Sequence, residues 1–237
     1  ARRHEAVTEI STTWGAPQTF AGPVLSVPYV VTWIDSTGKE QRAWHRLHML
    51  PARLQIEGEI EPELRRRGIY DVVVYRTELR ATGRFVRPDA SWRKVSRNQV
   101  DWAQATLSVA ISDPKGLTTR GTLEWNERTI PFTAGVADVG TFTSGIQAMV
   151  PGLSDLAAGT NVPFTLTINM NGTRELRFLP AKNESEYLMP LPAQDHPNII
   201  RSLYIIMESY SLLSYSTQYQ NQRIPENPFL LLNFPRK

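Results

Sequence analysis

Residues 163–172, PFTLTINMNG, carry the clearest structural signal in the chain. Four apolar side chains alternate there with Thr and Asn: Phe164, Leu166, Ile168 and Met170. This alternation predicts a β-strand with one buried face and one solvent-exposed face. Asn171 and Gly172 both tolerate positive φ, so the dipeptide favours a two-residue hairpin turn. We therefore predict that residues 174–181, RELRFLPA, return as the antiparallel partner of this strand.

Most of the chain repeats this kind of pattern. Apolar alternation and short apolar runs predict further strands at residues 24–33, 69–75, 79–85 and 107–111. Turn residues are concentrated in the stretches DSTGKE (35–40), SDPKG (112–116) and FTAGVADVG (132–140). Residues 3–14 instead have apolar side chains at helical spacing, and Gly15 follows as a stop signal. The sequence predicts a mainly β fold, sandwich-like or with two packed antiparallel sheets, and a short N-terminal helix.

Residues from about 190 onward follow a different pattern. Apolar side chains fall there on one helical face: Ile199, Ile200, Leu203, Ile206, Met207, Tyr210 and Leu213. The chain ends in NPFLLLNFPRK, an apolar cluster that needs a partner surface. We predict a helical C-terminal tail and divide the chain into a helix at 1–14, a β-rich domain at 15–190 and an atypical segment at 191–237.

Composition excludes several classes of function. The chain of 237 residues contains no cysteine, which removes disulfides, thiolate metal sites and cysteine nucleophiles. A formal net charge of +3 is too small to indicate nucleic-acid binding. Neither G-x-x-x-x-G-K-[ST] nor G-x-G-x-x-G is present, so nucleotide binding through a glycine-rich loop has no support. No run approaches the roughly 18 consecutive apolar residues of a membrane-spanning helix.

Ionisable and nucleophilic residues form no recognised catalytic motif. His45 and His48 are three residues apart, a spacing that fits one metal ion in a helix but places the rings on opposite faces of a strand. Ser144, in TSGIQ, lacks the first glycine of a nucleophile elbow. Three aspartates lie in Gly or Pro turns, where Asp commonly caps backbone amides: Asp113, Asp138 and Asp155. We predict a protein that is not an enzyme and has no cofactor or metal; the catalytic alternative is a hydrolase that uses Asp113 and His45.

Two sets of residues remain as candidates for binding. Arg65, Arg66 and Arg67 form a basic cluster near Tyr70, which is either a solvated surface or an interaction surface for anionic lipid headgroups or cell-wall polymer. Six tryptophans are spread over the chain: Trp14, Trp33, Trp44, Trp92, Trp102 and Trp125. They fit core packing, or alternatively a carbohydrate- or peptidoglycan-binding module in which exposed rings stack on sugars.

A succession of segments carries a family resemblance. In chain order these are WGAPQTFAGPVLSVPY (14–29), LPARLQIEGEIEPELRRRGIYDVVVY (50–75), ATGRF (81–85), SVAISDPKGL (108–117) and PFTAG (131–135). The chain resembles the CreD family of bacterial inner-membrane proteins over residues 3–189. In that context the prolines of residues 14–29 fix an extended path from the helix to a buried strand beginning at Val24, and the alternative is a ligand-binding loop.

The resemblance implies a function in the cell envelope. Family members have one transmembrane helix before this region and several after it, so residues 1–14 would be a juxtamembrane helix and residues 15–190 a periplasmic domain. The family is associated with envelope integrity and stress, the Cre two-component regulon, colicin tolerance and β-lactam response. Envelope components or other inner-membrane proteins are the implied partners, and no established catalytic residues exist to transfer. PAQDHPNIIRSLY (192–204) departs from the family pattern, so residues 199–237 are atypical.

Overall fold

The structure, a computed structural model, describes residues 2–88, 99–138 and 142–179, together with the backbone of three later strands. This part of the chain contains one α-helix, α1 (Arg2–Trp14), and strands β1 to β14. The strands are β1 (Gln18–Ile34), β2 (Glu40–Met49), β3 (Arg53–Arg67), β4 (Tyr70–Val86), β5 (Thr106–Ile111), β6 (Thr122–Trp125), β7 (Arg128–Pro131), β8 (Thr133–Ala134), β9 (Gly145–Met149), β10 (Asn161–Thr173), β11 (Glu175–Leu179), β12 (Ser202–Glu208), β13 (Leu212–Leu213) and β14 (Leu230–Asn233).

Two sheets pack face to face and share a hydrophobic core. The first sheet has the order β13-β2-β1-β5-β9-β8, with β11 beside the start of β1 and β14 beside β11. The second sheet has the order β12-β3-β4-β10-β6-β7. Buried side chains of both sheets form one cluster, which includes Leu25, Leu107, Ile56, Phe85 and Leu166. The predicted mainly β fold with two packed sheets and a short N-terminal helix is confirmed, although β1 and β11 pair in parallel.

Two long hairpins supply the central strands of the sheets. β1 and β2 are joined by the DSTGKE turn, in which the Asp35 amide donates to the Lys39 carbonyl at 2.9 Å. β3 and β4 are joined at Gly68, whose φ of +61° is a conformation that glycine adopts without strain. The predicted strands at 69–75 and 79–85 are parts of one strand, β4, because the intervening residues continue the extended pairing with β3.

The predicted hairpin at Asn171 and Gly172 is wrong. Both residues continue β10 and pair with β4, where Gly172 lies opposite Tyr75. A Cβ atom at Gly172 would lie 2.2 Å from the hydroxyl oxygen of Tyr75, so glycine is required here for close packing and not for a turn. The chain bends at Arg174, whose φ is +65°, and β11 then joins the first sheet instead of returning beside β10.

Residues 14–29 lie largely within a strand. β1 begins at Gln18, earlier than the predicted Val24, and its first residues pair with β11 and β5. The register shifts between Ala21 and Val24, where Gly22 has a φ of +100°. The glycine therefore allows a β-bulge in a continuous strand. The extended path is confirmed. The alternative of a ligand-binding loop is wrong, because from Gln18 onward, apart from the bulge, the backbone is paired with neighbouring strands of the sheet.

The predicted helical tail is also wrong where the structure describes it. Residues Ser202–Glu208 form β12, which pairs antiparallel with β3. The run SLYIIME contains Tyr and two Ile residues, which favour strands, and a nearly continuous apolar run satisfies helical and strand periodicities alike. The rest of the segment from 180 onward, apart from β13 and β14, lies outside the described residues.

Candidate functional site

Helix α1 lies on the outer face of the second sheet, near the turn that joins β3 to β4. The indole Nε1 of Trp14 donates to the carbonyl oxygen of Tyr75 at 3.2 Å. Val72 and Val74 lie on the same outer face as the helix, and both are buried. Gly15, with a φ of +132°, ends the helix as predicted. The helix is thus packed against the sheet as part of the domain.

Two arginines of the basic cluster hold this helix in place. The Arg65 guanidinium lies 4.3 Å from the centre of a Trp14 ring, and its Nε atom is 3.0 Å from Glu63 Oε1. Arg67 Nε donates to Glu9 Oε2 on the helix at 2.8 Å, and a second bond joins the same two side chains. A cation over an aromatic face and a two-pronged arginine-carboxylate pair both orient the groups they join. We call Trp14, Glu9, Arg65 and Arg67 the helix clamp.

The remaining residues of the predicted interaction surface lie at the same hairpin end. Arg66 points to the opposite face of β3 from its two neighbours, and its Nε atom donates to Asp71 at 2.9 Å. This hydrogen bond from Arg66 lowers the pKa of Asp71. Tyr70 is the backbone partner of Arg67 at the start of β4. The structure therefore brings the four predicted residues together, but each arginine already has an acidic partner, and binding of an outside partner stays a prediction.

The hairpin end also exposes apolar side chains. Ile69, in the turn itself, is 86% exposed, and Leu64 on β3 is 60% exposed. Sequence reasoning singled out the charges here and not these two residues. The sequence pattern placed Ile69 at the start of a strand, and the glycine directly before it was the available sign that Ile69 belongs to a turn.

A polar cluster that the sequence did not predict lies on the outer face of the first sheet. Ser26 Oγ is 2.9 Å from His48 Nδ1, and His48 Nε2 is 3.0 Å from Asp138 Oδ2. Ser26 and His48 are cross-strand neighbours on β1 and β2. Asp138 arrives from the loop after β8, which is also held by a bond from the Ala137 amide to Ser108 Oγ at 3.1 Å. Burial lowers the pKa of His48, and the nearby Asp138 carboxylate partly opposes this effect.

The cluster contains the residue types of a serine hydrolase triad, but the serine is the buried member and the aspartate is the exposed one, the reverse of what a hydrolase needs. Ser26 is only 2% exposed, whereas the side chain of Asp138 is 32% exposed. A nucleophile must reach its substrate, and in this arrangement the carboxylate faces solvent while the hydroxyl lies underneath. As it stands, the cluster can fix the loop to the sheet, and it presents no nucleophile at the surface.

The other residues that the sequence suggested for catalysis or metal binding do not come together in one site. His48 and His45 lie on opposite faces of β2, as the strand alternative predicted, and the His45 ring stacks on Tyr29 with centroids 5.4 Å apart. The Ser144 hydroxyl donates to a backbone carbonyl, that of Ile111, at 2.7 Å. Within the described residues, no group of three His, Cys, Asp or Glu side chains could hold a metal ion.

The hydrolase alternative built on Asp113 and His45 is wrong. Asp113 caps the SDPKG turn by accepting a bond from the Lys115 amide, as predicted for a turn aspartate. β5 ends just before it, opposite Phe20 of β1, whereas His45 lies opposite Tyr29 of the same strand. The nine residues between these positions on β1 correspond to roughly 30 Å. The two side chains therefore cannot act together.

The tryptophans do not form one stacking platform. Trp102 and Trp125 are buried, and Trp92 lies outside the described residues. Trp33 and Trp44 are exposed near the end of the β1–β2 hairpin. Trp33 is paired with Gln41, so these two side chains share a face of the hairpin. Trp44 is three residues from Gln41 along β2, and side chains alternate between faces along a strand, so Trp44 lies on the opposite face from Trp33. This arrangement weakens the carbohydrate-binding alternative.

A shallow groove crosses the outer face of the second sheet. It has a volume of about 650 Å³ and is lined mainly by charged and polar residues, among them Glu57, Glu59, Glu78, Arg76 and Arg80. Glu57 lies opposite Arg80, and Glu59 lies opposite Glu78, so the face mixes both charges. A groove of this kind is open to solvent, and it is lined mainly by polar and charged residue types where a typical small-molecule site has hydrophobic and aromatic ones.

Comparison with known families identifies the chain. A family model described as Inner membrane protein CreD matches residues 1–195. The chain belongs to the CreD family. The match extends over α1 and β1 to β11 and ends before β12, so the CreD resemblance of the sequence is confirmed for the body of both sheets. No curated protein and no solved structure matches the chain.

CreD proteins are inner-membrane proteins, as the description of the family states. In the described part of this CreD chain, no helix has both the length and the hydrophobicity needed to span a membrane.

Proposed function

We propose that this chain is the periplasmic part of a CreD-like inner-membrane protein and that it acts without catalysis in envelope integrity and stress response. Its partners would be other inner-membrane proteins or envelope components. The observation that carries the proposal is the helix clamp. In the helix clamp, charged and aromatic side chains hold α1 on the sheet. These side chains therefore have a structural role and not a catalytic one.

α1 contacts the second sheet close to the point where the chain passes into the first sheet. Besides the contact of Trp14 with β4, Ser11 Oγ lies 3.0 Å from Thr173 Oγ1, at the last residue of β10. At that point the chain leaves the second sheet and enters the first as β11. A displacement of α1 would therefore act on the connection between the two sheets. This arrangement supports a domain that moves as one body with the segment that precedes it.

The orientation in the cell can be tested directly because the chain contains no cysteine. A Ser36→Cys variant introduces one thiol in the exposed turn between β1 and β2. We expect a membrane-impermeant maleimide to label this thiol in intact cells, with the parent chain as control. Labelling that appears only after lysis would show a cytoplasmic location and overturn the periplasmic part of the proposal.

The contact role can be tested in cells that need the protein for growth under detergent or β-lactam stress. Trp14→Ala, which removes the centre of the clamp, should abolish protection, and Trp33→Ala is the matched control. Ser26→Ala and His48→Gln alter the polar cluster that most resembles catalytic machinery, and they should leave protection intact at equal protein levels. Loss of protection in these two variants alone would indicate catalysis and contradict the proposal.

A further inference from the structure

We propose that the turn between β3 and β4 contacts the surface of the phospholipid bilayer, with Ile69 and Leu64 entering the headgroup region. The inference rests on the proposed function in one respect, namely that α1 is the membrane-proximal segment. It goes beyond that function because it assigns a second bilayer contact, at a specific turn.

The first step is that the N-terminus of α1 and this turn lie at the same end of the domain. Trp14, at the end of the helix, contacts Tyr75, whereas Glu9 contacts Arg67, which is next to the turn. The helix therefore runs from the turn toward the body of the sheet. At 1.5 Å per residue, the segment before Glu9 extends roughly 10 Å further, which reaches or passes Gly68.

The second step is the chemistry of this end. Ile69 is 86% exposed and Leu64 is 60% exposed, so two aliphatic side chains of this hairpin end are in water. Tyr70 follows Ile69 directly, and Arg66 and Arg67 precede the turn. Aliphatic residues flanked by tyrosine and long basic side chains are typical of proteins that lie in a membrane interface, where the apolar parts are buried and the polar ends reach the headgroups.

The third step distinguishes a bilayer from a protein partner. A stable protein interface buries about 800 Å² on each side, far more than one turn residue and one neighbouring strand residue can offer. The arginine outside the helix clamp is exposed at this end, because the side chain of Arg66 is 74% exposed and is paired only with Asp71 in the same hairpin. Exposed ion pairs are weak, so the Arg66 guanidinium can exchange the Asp71 carboxylate for a lipid phosphate.

The chain offers a matched pair of sites for the test. Ile69 and Ile34 are both exposed isoleucines beside hairpin turns, and Ile34 is 65% exposed. They belong to different hairpins, and β1 leads away from α1 toward Ile34. Single-cysteine variants Ile69→Cys and Ile34→Cys can be labelled with the environment-sensitive dye NBD, because the parent chain has no thiol.

The labelled chains are mixed with an excess of vesicles made of phosphatidylethanolamine and phosphatidylglycerol in a ratio of roughly 3:1. About one quarter of the lipid headgroups on these vesicles are therefore anionic. We expect NBD emission at position 69 to rise and shift to shorter wavelength, and to be quenched by a lipid-linked quencher. Position 34 should show no change. Unchanged emission at position 69, or an equal response at both positions, would overturn the proposal.

A second measurement does not depend on a label. In vesicle flotation, Ile69→Asp should lower the bound fraction roughly tenfold, the factor expected from losing one buried aliphatic side chain, whereas Ile34→Asp should not. Equal binding of both variants and the parent would overturn the proposal. The vesicle experiment contains no cellular partner and does not depend on which side of the membrane the chain faces, so a negative flotation result leaves the proposed periplasmic function intact. Conversely, a cytoplasmic result from maleimide labelling of Ser36→Cys in cells would leave the measured vesicle binding intact.

Discussion

His48 Nε2 lies 3.0 Å from Asp138 Oδ2, and this contact ties a buried residue of β2 to the loop that covers the outer face of the first sheet. Burial lowers the pKa of His48 from its ordinary value of 6.5, Arg46 adds to the effect, and Asp138 opposes it. The folded state therefore takes up a proton at His48 less readily than the unfolded chain does. The stabilisation associated with the neutral ring is present above 6.5 and is lost as the pH falls through the lowered folded-state pKa.

We therefore expect the free energy of unfolding to decrease as the pH falls from about 7 to 5, with His48 contributing to the slope. Urea unfolding of the parent chain and of His48→Gln, each at several pH values, measures this contribution as the difference between the two slopes. His45→Gln removes an imidazole from the other face of the same strand and serves as the control. Equal slopes for the parent and His48→Gln would contradict the assignment.

Ser26→Ala tests the inner half of the same cluster. The substitution leaves His48 Nδ1 buried without the hydroxyl that lies 2.9 Å away. A buried polar atom that loses its partner costs about 1–3 kcal/mol, so the free energy of unfolding should fall by that amount. Ser36→Ala, in an exposed turn, should change it by less than about 0.5 kcal/mol. A neutral Ser26→Ala variant would indicate that the hydroxyl does not contribute to stability.

Local sequence patterns predicted the elements of the fold better than their partners. Alternation identified β10, and helical spacing with Gly15 identified α1, because both signals depend on neighbouring residues. The dipeptide at Asn171 was misread, since its glycine is required by the hydroxyl of Tyr75 on another strand. Nothing in the residues near position 172 carries that information.

The candidate sites show the same limit. The arginine cluster was visible as a run of charges, but Glu9, the acidic partner of Arg67, is 58 residues away in sequence. Ser26 and His48 were brought together by the register of two strands, and Asp138 by a loop much later in the chain. Single polar residues in apolar strands were the available signal, and a search for them would have found Ser26 and His48 but not their connection.

Trp14→Ala should detach α1 from the sheet without unfolding the domain. The indole accepts the Arg65 guanidinium on its face and donates one hydrogen bond to the Tyr75 carbonyl. These contacts together contribute on the order of 2 kcal/mol, which corresponds to roughly 30-fold faster amide exchange in the helix. Hydrogen exchange by mass spectrometry should show this increase in α1 while β10 remains protected. Trp33→Ala, which removes an exposed ring elsewhere, should leave α1 unchanged.

Gly172→Ala should destabilise the domain through the packing between β10 and β4. The new methyl group would lie 2.2 Å from Tyr75 Oη and 3.0 Å from Gln18 Cγ, so the strands must shift apart or the tyrosine must move. Overpacking of this kind costs about 1–3 kcal/mol, measurable as a lower urea midpoint with an unchanged slope.

Gly38→Ala is the control, because no atom lies within 4 Å of its new methyl group. Only the φ of +80° opposes this substitution, and the resulting backbone strain is about 1–2 kcal/mol. Both the hydroxyl oxygen and the Cζ atom of Tyr75 lie within 2.4 Å of the new methyl group of Gly172→Ala, so a side chain that lacks both atoms is needed to relieve the clash. If Tyr75 causes the clash, Gly172→Ala should cost less in a Tyr75→Leu background than in the parent chain, whereas Gly38→Ala should cost the same in both. An unchanged cost of Gly172→Ala in the Tyr75→Leu background would contradict the close approach of Gly172 and Tyr75.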